Sequence, residues 1–188
     1  RTVIEISAVP KDALNATITA EDRDFYRHRG FSVTGIVRAV YKNIVRGGKV
    51  QGGSTITQQF IKNSILTREK TYTRKIKEVI LAFEMERRFS KEQILKLYLN
   101  EIPYGSVAYG IESASRTFFG KSAKDLTLSE SAVLAALPKA PTYYSPYGSH
   151  REDLLRRVHF IIDAMVEEDV VALQRRGLRQ HAQQRSAA

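Results

Sequence analysis

The chain has 188 residues, enough for one core of ordinary size and too few for two independent ones. With 43% hydrophobic and 27% charged residues it has the composition of a folded globular protein, which excludes collagen-like repetition and low-complexity disorder. A net charge of +10 favours an anionic partner or surface, and the absence of cysteine rules out disulfides and thiolate metal sites.

The charge is uneven: residues 1–100 carry 19 Lys/Arg against 10 Asp/Glu, and the remainder carry 11 against 10. Charged residues interrupt every window that approaches the roughly 20 apolar residues of a membrane span. The opening Arg1-Thr2-Val3-Ile4-Glu5 has no signal-peptide plan and no initiator Met, so the sequence is expected to be a fragment.

Strand alternation is confined to residues 2–6, and helix periodicity dominates everywhere else. The apolar segment Ala13 to Ala20 runs into Glu21-Asp22-Arg23-Asp24-Phe25, closed by His28 and Gly30. A carboxylate at the end of a buried helix can be tuned upward into a general base; a solvated helix end is the plainer alternative. Val33, Ile36, Val37, Val40, Ile44 and Val45 predict a helix that stops at Gly47-Gly48, with Arg38, Lys42 and Arg46 opposite the apolar stripe. That pattern suits a core-facing helix or one lying on an anionic bilayer.

Gly52-Gly53-Ser54-Thr55-Ile56-Thr57-Gln58-Gln59 is uncharged within the basic half. Two glycines before a Ser/Thr-capped helix suit phosphate or sugar oxygens, or simply make a turn; the Gly-Lys-Ser/Thr ending of a Walker loop is missing. Thr71 or Thr73 caps the next predicted helix, whose stripe is Ile76, Val79, Ile80 and Phe83. Lys62, Arg74, Lys75 and Lys77 cluster near Glu78, as a surface ion-pair group or as a cationic cradle for a diphosphate around a carboxylate.

Ser90 with Gln93 and Thr127 with Glu130 are capping boxes that open further helices, and Pro138, Pro141 and Pro146 bracket a break at 138–149. Ser149 with Glu152 is expected to open a last helix carrying Leu154, Leu155, Val158, Ile161, Ile162, Met165 and Val166. Tyr143, Tyr144 and Tyr147 fit loop packing better than base stacking. The four histidines show no zinc-binding spacing, and no serine stands in a nucleophile elbow. The periodicities predict a mainly α fold.

Four segments occur in order: Glu-Asp-Arg-Asp-Phe-Tyr-Arg-His-Arg-Gly (21–30), Gly-Gly-Ser-Thr-Ile-Thr-Gln-Gln (52–59), Arg-Lys-Ile-Lys-Glu (74–78) and Ile-Leu-Lys-Leu-Tyr-Leu-Asn-Glu (94–101). Together they resemble the peptidoglycan glycosyltransferase domain of class A penicillin-binding proteins, the family 51 glycosyltransferases. Tyr104-Gly105, Tyr109 to Ser115, Phe118 to Lys121 and Leu137 to Pro146 agree, and the likeness spans residues 8–170.

The resemblance implies a lysozyme-like helical fold with a large lobe and a smaller membrane-facing jaw. It also implies polymerisation of lipid II into β-1,4-linked glycan strands by inverting transfer. Glu21 matches the family's general base, and Glu78 the carboxylate that assists departure of the pyrophosphate directly or through a divalent cation, Mg2+ or Mn2+. Ser54, Thr55, Gln59, Lys62, Asn63, Arg74 and Lys75 match positions that bind sugar and pyrophosphate. Asp22, Phe25 and His28 match supports for Glu21.

The implied partners are lipid II, the growing glycan strand, an anionic membrane surface and other cell-wall synthesis proteins, with no nucleic acid. The implied place is the outer face of the bacterial cytoplasmic membrane, with an anchoring N-terminal helix outside this sequence. Residues 1–150 are expected to form the transferase domain, and 151–188 a helical extension or the start of a linker to a transpeptidase domain. Arg156-Arg157 through Met165 resembles the helix that follows the transferase core in bifunctional members, and Glu167-Glu168-Asp169 departs from the Gly-containing turn usual there. The competing readings are a lysozyme-like hydrolase, separable by whether lipid II is lengthened or glycan shortened, and a basic nucleic-acid-binding module, which lacks any recognised motif.

Overall fold

The computed structural model describes residues 2–32, 53–66, 71–105 and 107–186, with side chains up to Asp169. The helix predicted over Val33 to Arg46, its Arg38, Lys42 and Arg46, and Gly52 lie outside the described residues. Within them the chain is mainly helical: α1 (Lys11–Glu21), α2 (Ile56–Ser64), α3 (Tyr72–Arg88), α4 (Lys91–Glu101), α5 (Ile111–Phe119), α6 (Leu128–Ala136) and α7 (Arg151–Ser186). Between α4 and α5 a short antiparallel pair, β1 (Pro103–Gly105) and β2 (Ala108–Tyr109), makes the hairpin that alternation did not reveal.

The helix starts follow side-chain capping. At α2 the Thr55 hydroxyl accepts from Gln58 N while Gln58 Oε1 accepts from Thr55 N, and Ser90 with Gln93 and Thr127 with Glu130 repeat this box at α4 and α6. Thr71, rather than Thr73, caps α3. The box expected from Ser149 and Glu152 does not form. The helix begins at Arg151, Ser149 Oγ lies 3.3 Å from His150 Nδ1, and Glu152 faces Arg156 across solvent.

Residues 2–5 form no strand. The amide side chain of Asn100 takes the place of a neighbouring strand, accepting from Ile4 N at 2.8 Å and donating to Ile4 O at 3.0 Å. Gly110, at φ +81°, lets the chain pass so near this residue that a Cβ would lie 2.6 Å from Asn100 O.

Ala13 and Ala16 of α1, Ile56 and Ile61 of α2, Ile94, Tyr98 and Leu99 of α4 and Leu134 and Leu137 at α6 form one core. Leu154, Val158 and Ile161 of α7 join the same cluster, so the first turns of that helix pack as part of this body against α1 and α6. The helix also runs unbroken through Glu167-Glu168-Asp169. There Glu168 accepts from the Thr19 hydroxyl at 2.9 Å and faces Arg23 Nε at 3.6 Å, both on α1 or the turn beyond it.

On α3 the predicted stripe does not face the core. Ile76 and Ile80 are 61% and 57% exposed and Phe83 is exposed, while Glu78, Ala82 and Met85 are buried. Glu78, Ala82 and Met85 follow i, i+4, i+7, a helical face of their own with a carboxylate at its head. No helix among the described residues is long and apolar enough to cross a membrane.

Candidate active site

Glu21 is the last residue of α1. At Asp22 the backbone leaves the helix, and the Glu21 side chain turns inward, only 8% exposed. Its two oxygens are held by separate donors: Gln59 Nε2 from α2 reaches Oε2 at 2.8 Å, and Arg157 Nη2 from α7 reaches Oε1 at 2.9 Å. Gln59 is itself oriented by Tyr98 of α4, whose hydroxyl donates to Gln59 Oε1 at 3.3 Å. Burial pushes the Glu21 carboxyl above the ordinary carboxylate range, against the opposite pull of Arg157, Gln59 and Lys139. Burial first, and the charge on Glu21 after it, push the Tyr98 and Tyr104 hydroxyls above the ordinary phenol range.

The turn after Glu21 is fastened to the start of α2. Both Asp22 oxygens lie 2.9 Å from His28 Nε2, and Oδ2 also accepts from Ile56 N at 3.0 Å, meeting a backbone donor of the first turn of α2. Phe25 is fully buried, with Lys91 Nζ 4.5 Å above its ring. His28 Nδ1 stands 3.9 Å from Glu86 Oε1, and Glu86 in turn bonds Thr57 and Lys91. Asp22, Phe25 and His28 thus contact the frame around Glu21.

The second carboxylate, Glu78, is 2% exposed on the buried face of α3. Lys75 bonds its Oε1, and Arg74 Nη1 lies 3.5 Å from Oε2. Lys75 Nζ also donates to Ser54 Oγ at 3.0 Å and to Gln58 Oε1 at 3.5 Å, which ties this cluster to the loop before α2. Arg74 Nε is buried and has no hydrogen-bond partner among the described residues.

Lys62 is exposed at the end of α2. Crowding by protein pulls its ammonium below the ordinary lysine range, opposed first by Glu78 and also by Glu21. It therefore senses both carboxylates. The structure brings Gln59 to Glu21 and Arg74 and Lys75 to Glu78, with Ser54 reaching that cluster through Lys75. It does not bring Thr55 or Asn63 to either one. Thr55 is buried with its hydroxyl given to the α2 cap and to Gly30 O at 2.8 Å, and Asn63 bonds the backbone of its own helix.

Arg157, Lys139, Tyr98 and Gln58 were not expected here. Arg157 had a readable signal: it stands three residues after Leu154 and four before Ile161, a cation placed on an apolar stripe. The donor set around Glu78 does not fit a resident divalent ion. One carboxylate faces two cationic side chains, and among the described residues no group of three His, Asp or Glu side chains is placed to hold a metal ion.

A single scaffold helix, α2, thus reaches two buried carboxylates, one directly through Gln59 and the other through Gln58 and Lys75; the first is held by an amide and a distant guanidinium and the second is embedded in cations. A model of the family described as Transglycosylase matches residues 1–166. Penicillin-binding protein 1F of Bacillus subtilis (strain 168) is 52% identical over 146 residues, 78% of this chain and 20% of the relative. Penicillin-binding protein 1A of Aquifex aeolicus (strain VF5) is 48% identical over 171 residues, 91% and 23%, and that of Neisseria gonorrhoeae is 46% identical over 176 residues, 94% and 22%. The chain spans about a fifth of the length of these relatives. It belongs to the transglycosylase family, as a glycosyltransferase domain of the class A penicillin-binding protein kind.

Proposed function

We propose that the domain polymerises lipid II with inversion at the donor anomeric carbon, with Glu21 as general base and the Glu78 cluster receiving the diphosphate. The 4-hydroxyl oxygen of the acceptor N-acetylglucosamine forms the new bond to the donor anomeric carbon. Its proton passes to Glu21, and the breaking carbon–oxygen bond leaves its electron pair on the lipid diphosphate. The base acts on the attacking hydroxyl across the ring from the leaving group, so the two carboxylates occupy separate positions with sugar between them.

The observation that carries this reading is that both carboxylates border the same helix. Gln59 bonds Glu21, Gln58 bonds the Lys75 that bonds Glu78, and Lys62 responds to both. Glu21 has the environment of a proton acceptor: it is desolvated yet held by donors that favour its charged form. Lys62, Arg74 and Lys75 supply fixed positive charge where negative charge grows on the leaving group, and the unpartnered Arg74 Nε is a further donor. These cations, rather than Mg2+ or Mn2+, are the charge this reading assigns to the diphosphate, and no step passes through a metal.

Exposed Tyr72, Ile76 and Ile80 on α3, with Lys75 and Lys77 among them, fit contact with the anionic, apolar surface in which a lipid-linked substrate resides on the outer face of the cytoplasmic membrane. The test is polymerisation of labelled lipid II by the wild type, Glu21→Gln and Glu78→Gln. Longer strands from the wild type and polymer reduced by about a hundredfold or more in Glu21→Gln are expected. Near-normal polymer from both variants, or shortening of preformed glycan in place of synthesis, would overturn the reading.

A further inference from the structure

We propose that Arg157 is the positioning residue of the general base, aiming the Glu21 carboxylate and balancing its charge away from water. This rests on the reading of Glu21 as the base. Arg157 lies on the buried side of α7, 10% exposed, and its guanidinium is fixed at two points. Nε donates to Ala136 O at 3.0 Å, a carbonyl of the last turn of α6, where helical carbonyls lack partners and cations are favoured. Nη2, on the same rigid plane, donates to Glu21 Oε1 at 2.9 Å, and the Tyr144 ring lies 5.6 Å from the guanidinium carbon. Two hydrogen bonds from one planar group convert the position of α6 into an orientation of the carboxylate, which a lysine ammonium cannot reproduce.

A buried base has a particular difficulty. Out of water it holds its proton, and a protonated carboxyl accepts nothing from the acceptor sugar. The groups that face Glu21 are Gln59 and Lys62 of α2, Tyr98 of α4, Tyr104 of β1, Lys139 between α6 and α7, Arg157 of α7, and Asp22 next along the chain. The tyrosines remain neutral in the working range and Asp22 is turned to His28 and Ile56. Of the cations, Arg157 is bonded directly to the carboxylate, and it is the leading influence that opposes burial. It keeps Glu21 ready to take a proton and helps it give that proton up before the next sugar arrives.

The experiment is the rate–pH profile of lipid II polymerisation for the wild type, Arg157→Met, Arg157→Lys and Glu21→Gln, with the Glu21 carboxyl followed by carbon-13 resonance against Glu21→Gln. Loss of a neighbouring cation lets a carboxylate protonate more readily, so in Arg157→Met the acid limb and the resonance titration both move up by roughly one to two pH units. The rate at neutral pH falls about tenfold or more and returns in part as the pH rises. Arg157→Lys keeps the limb near its wild-type position but lowers kcat with little change in KM, because charge is retained and the two-point hold is lost. Several outcomes overturn the proposal: an unmoved limb and titration in Arg157→Met, a wild-type kcat in Arg157→Lys, or equal losses at every pH with a lowered unfolding temperature and no return at high pH. Those outcomes leave the function intact where Glu21→Gln is dead, whereas an active Glu21→Gln sinks the reading of the base itself.

Discussion

Glu21 and Glu78 are both nearly removed from water, yet they draw their partners from opposite ends of the chain-distance scale. Glu78 is neutralised by its own helix: Lys75 and Arg74 lie three and four residues earlier, and the cluster stays whole wherever α3 goes. Glu21 depends on Gln59, 38 residues away, and on Arg157, 136 residues away, so its electrostatics exist only once α1, α2 and α7 have packed. A carboxylate balanced by cations of its own helix can be prefabricated locally. A carboxylate tuned by burial has to be assembled by the tertiary fold, because the desolvation that tunes it is itself a product of packing.

The largest expected effects test that division directly. Glu21→Gln removes the proposed proton acceptor and should lower polymerisation by about 10²–10⁴-fold, with lipid II binding retained in a direct binding measurement. Burial raises the Glu21 carboxyl, so if its ionised form is the active one, as proposed, wild-type activity should fall as the pH drops through a value above the ordinary carboxylate range of about 4.3. Glu78→Gln leaves Arg74 and Lys75 without their anchor and should cost about 10²–10³-fold in kcat. Its rate–pH profile should keep the wild-type acid limb; a limb displaced by Glu78→Gln as far as by Arg157→Met would merge two sites that the comparison separates.

The same contrast explains what could be read before the fold was seen. The capping boxes at Ser90 and Thr127, the Ser/Thr cap of α2 and the Arg74–Lys75–Glu78 group are local, written within four residues, and form, whereas the equally local box expected from Ser149 and Glu152 does not. The face of α3 that is buried was not legible from hydrophobicity, because Glu78 occupies its head and Ile76 and Ile80 turn to the surface. Thr55 matched a binding motif but spends its hydroxyl on the α2 cap and on Gly30. Arg157 was visible as a cation on an apolar stripe, but which carboxylate it met depends on α7 crossing α1, and no local pattern encodes that crossing.

Gly30→Ala probes the assembled frame without touching a charge. Gly30 sits at φ +87°, and an added Cβ would lie 2.8 Å from the α3 backbone at Ala82 and Phe83. Its carbonyl accepts from Thr55, so displacement also loosens the start of α2. The left-handed backbone and the overlap together should cost about 2–4 kcal/mol in denaturant unfolding. Polymerisation near neutral pH should fall in company with a shifted acid limb, since the turn after Glu21 moves while the Lys75–Glu78 pair stays within its helix.

Gln59→Leu has the smallest expected effect and cuts the assembly at one bond. The substitution keeps apolar bulk in α2 but removes the donor to Glu21 Oε2 and the acceptor of the buried Tyr98 hydroxyl. A hydrogen bond to a charged group is worth about 1.5–3 kcal/mol, and Arg157 remains on the other oxygen, so the loss at neutral pH should sit near the lower end, about tenfold. The sign follows from which form the amide favours. Its N–H stabilises the ionised carboxyl, so its removal lets Glu21 protonate more readily and moves the acid limb upward, by less than Arg157→Met does. A larger upward move than Arg157→Met gives would mean that the amide and not the guanidinium is the main counterweight to burial, reversing the order of the two holds on Glu21, and a downward move would mean that the amide favours the protonated carboxyl.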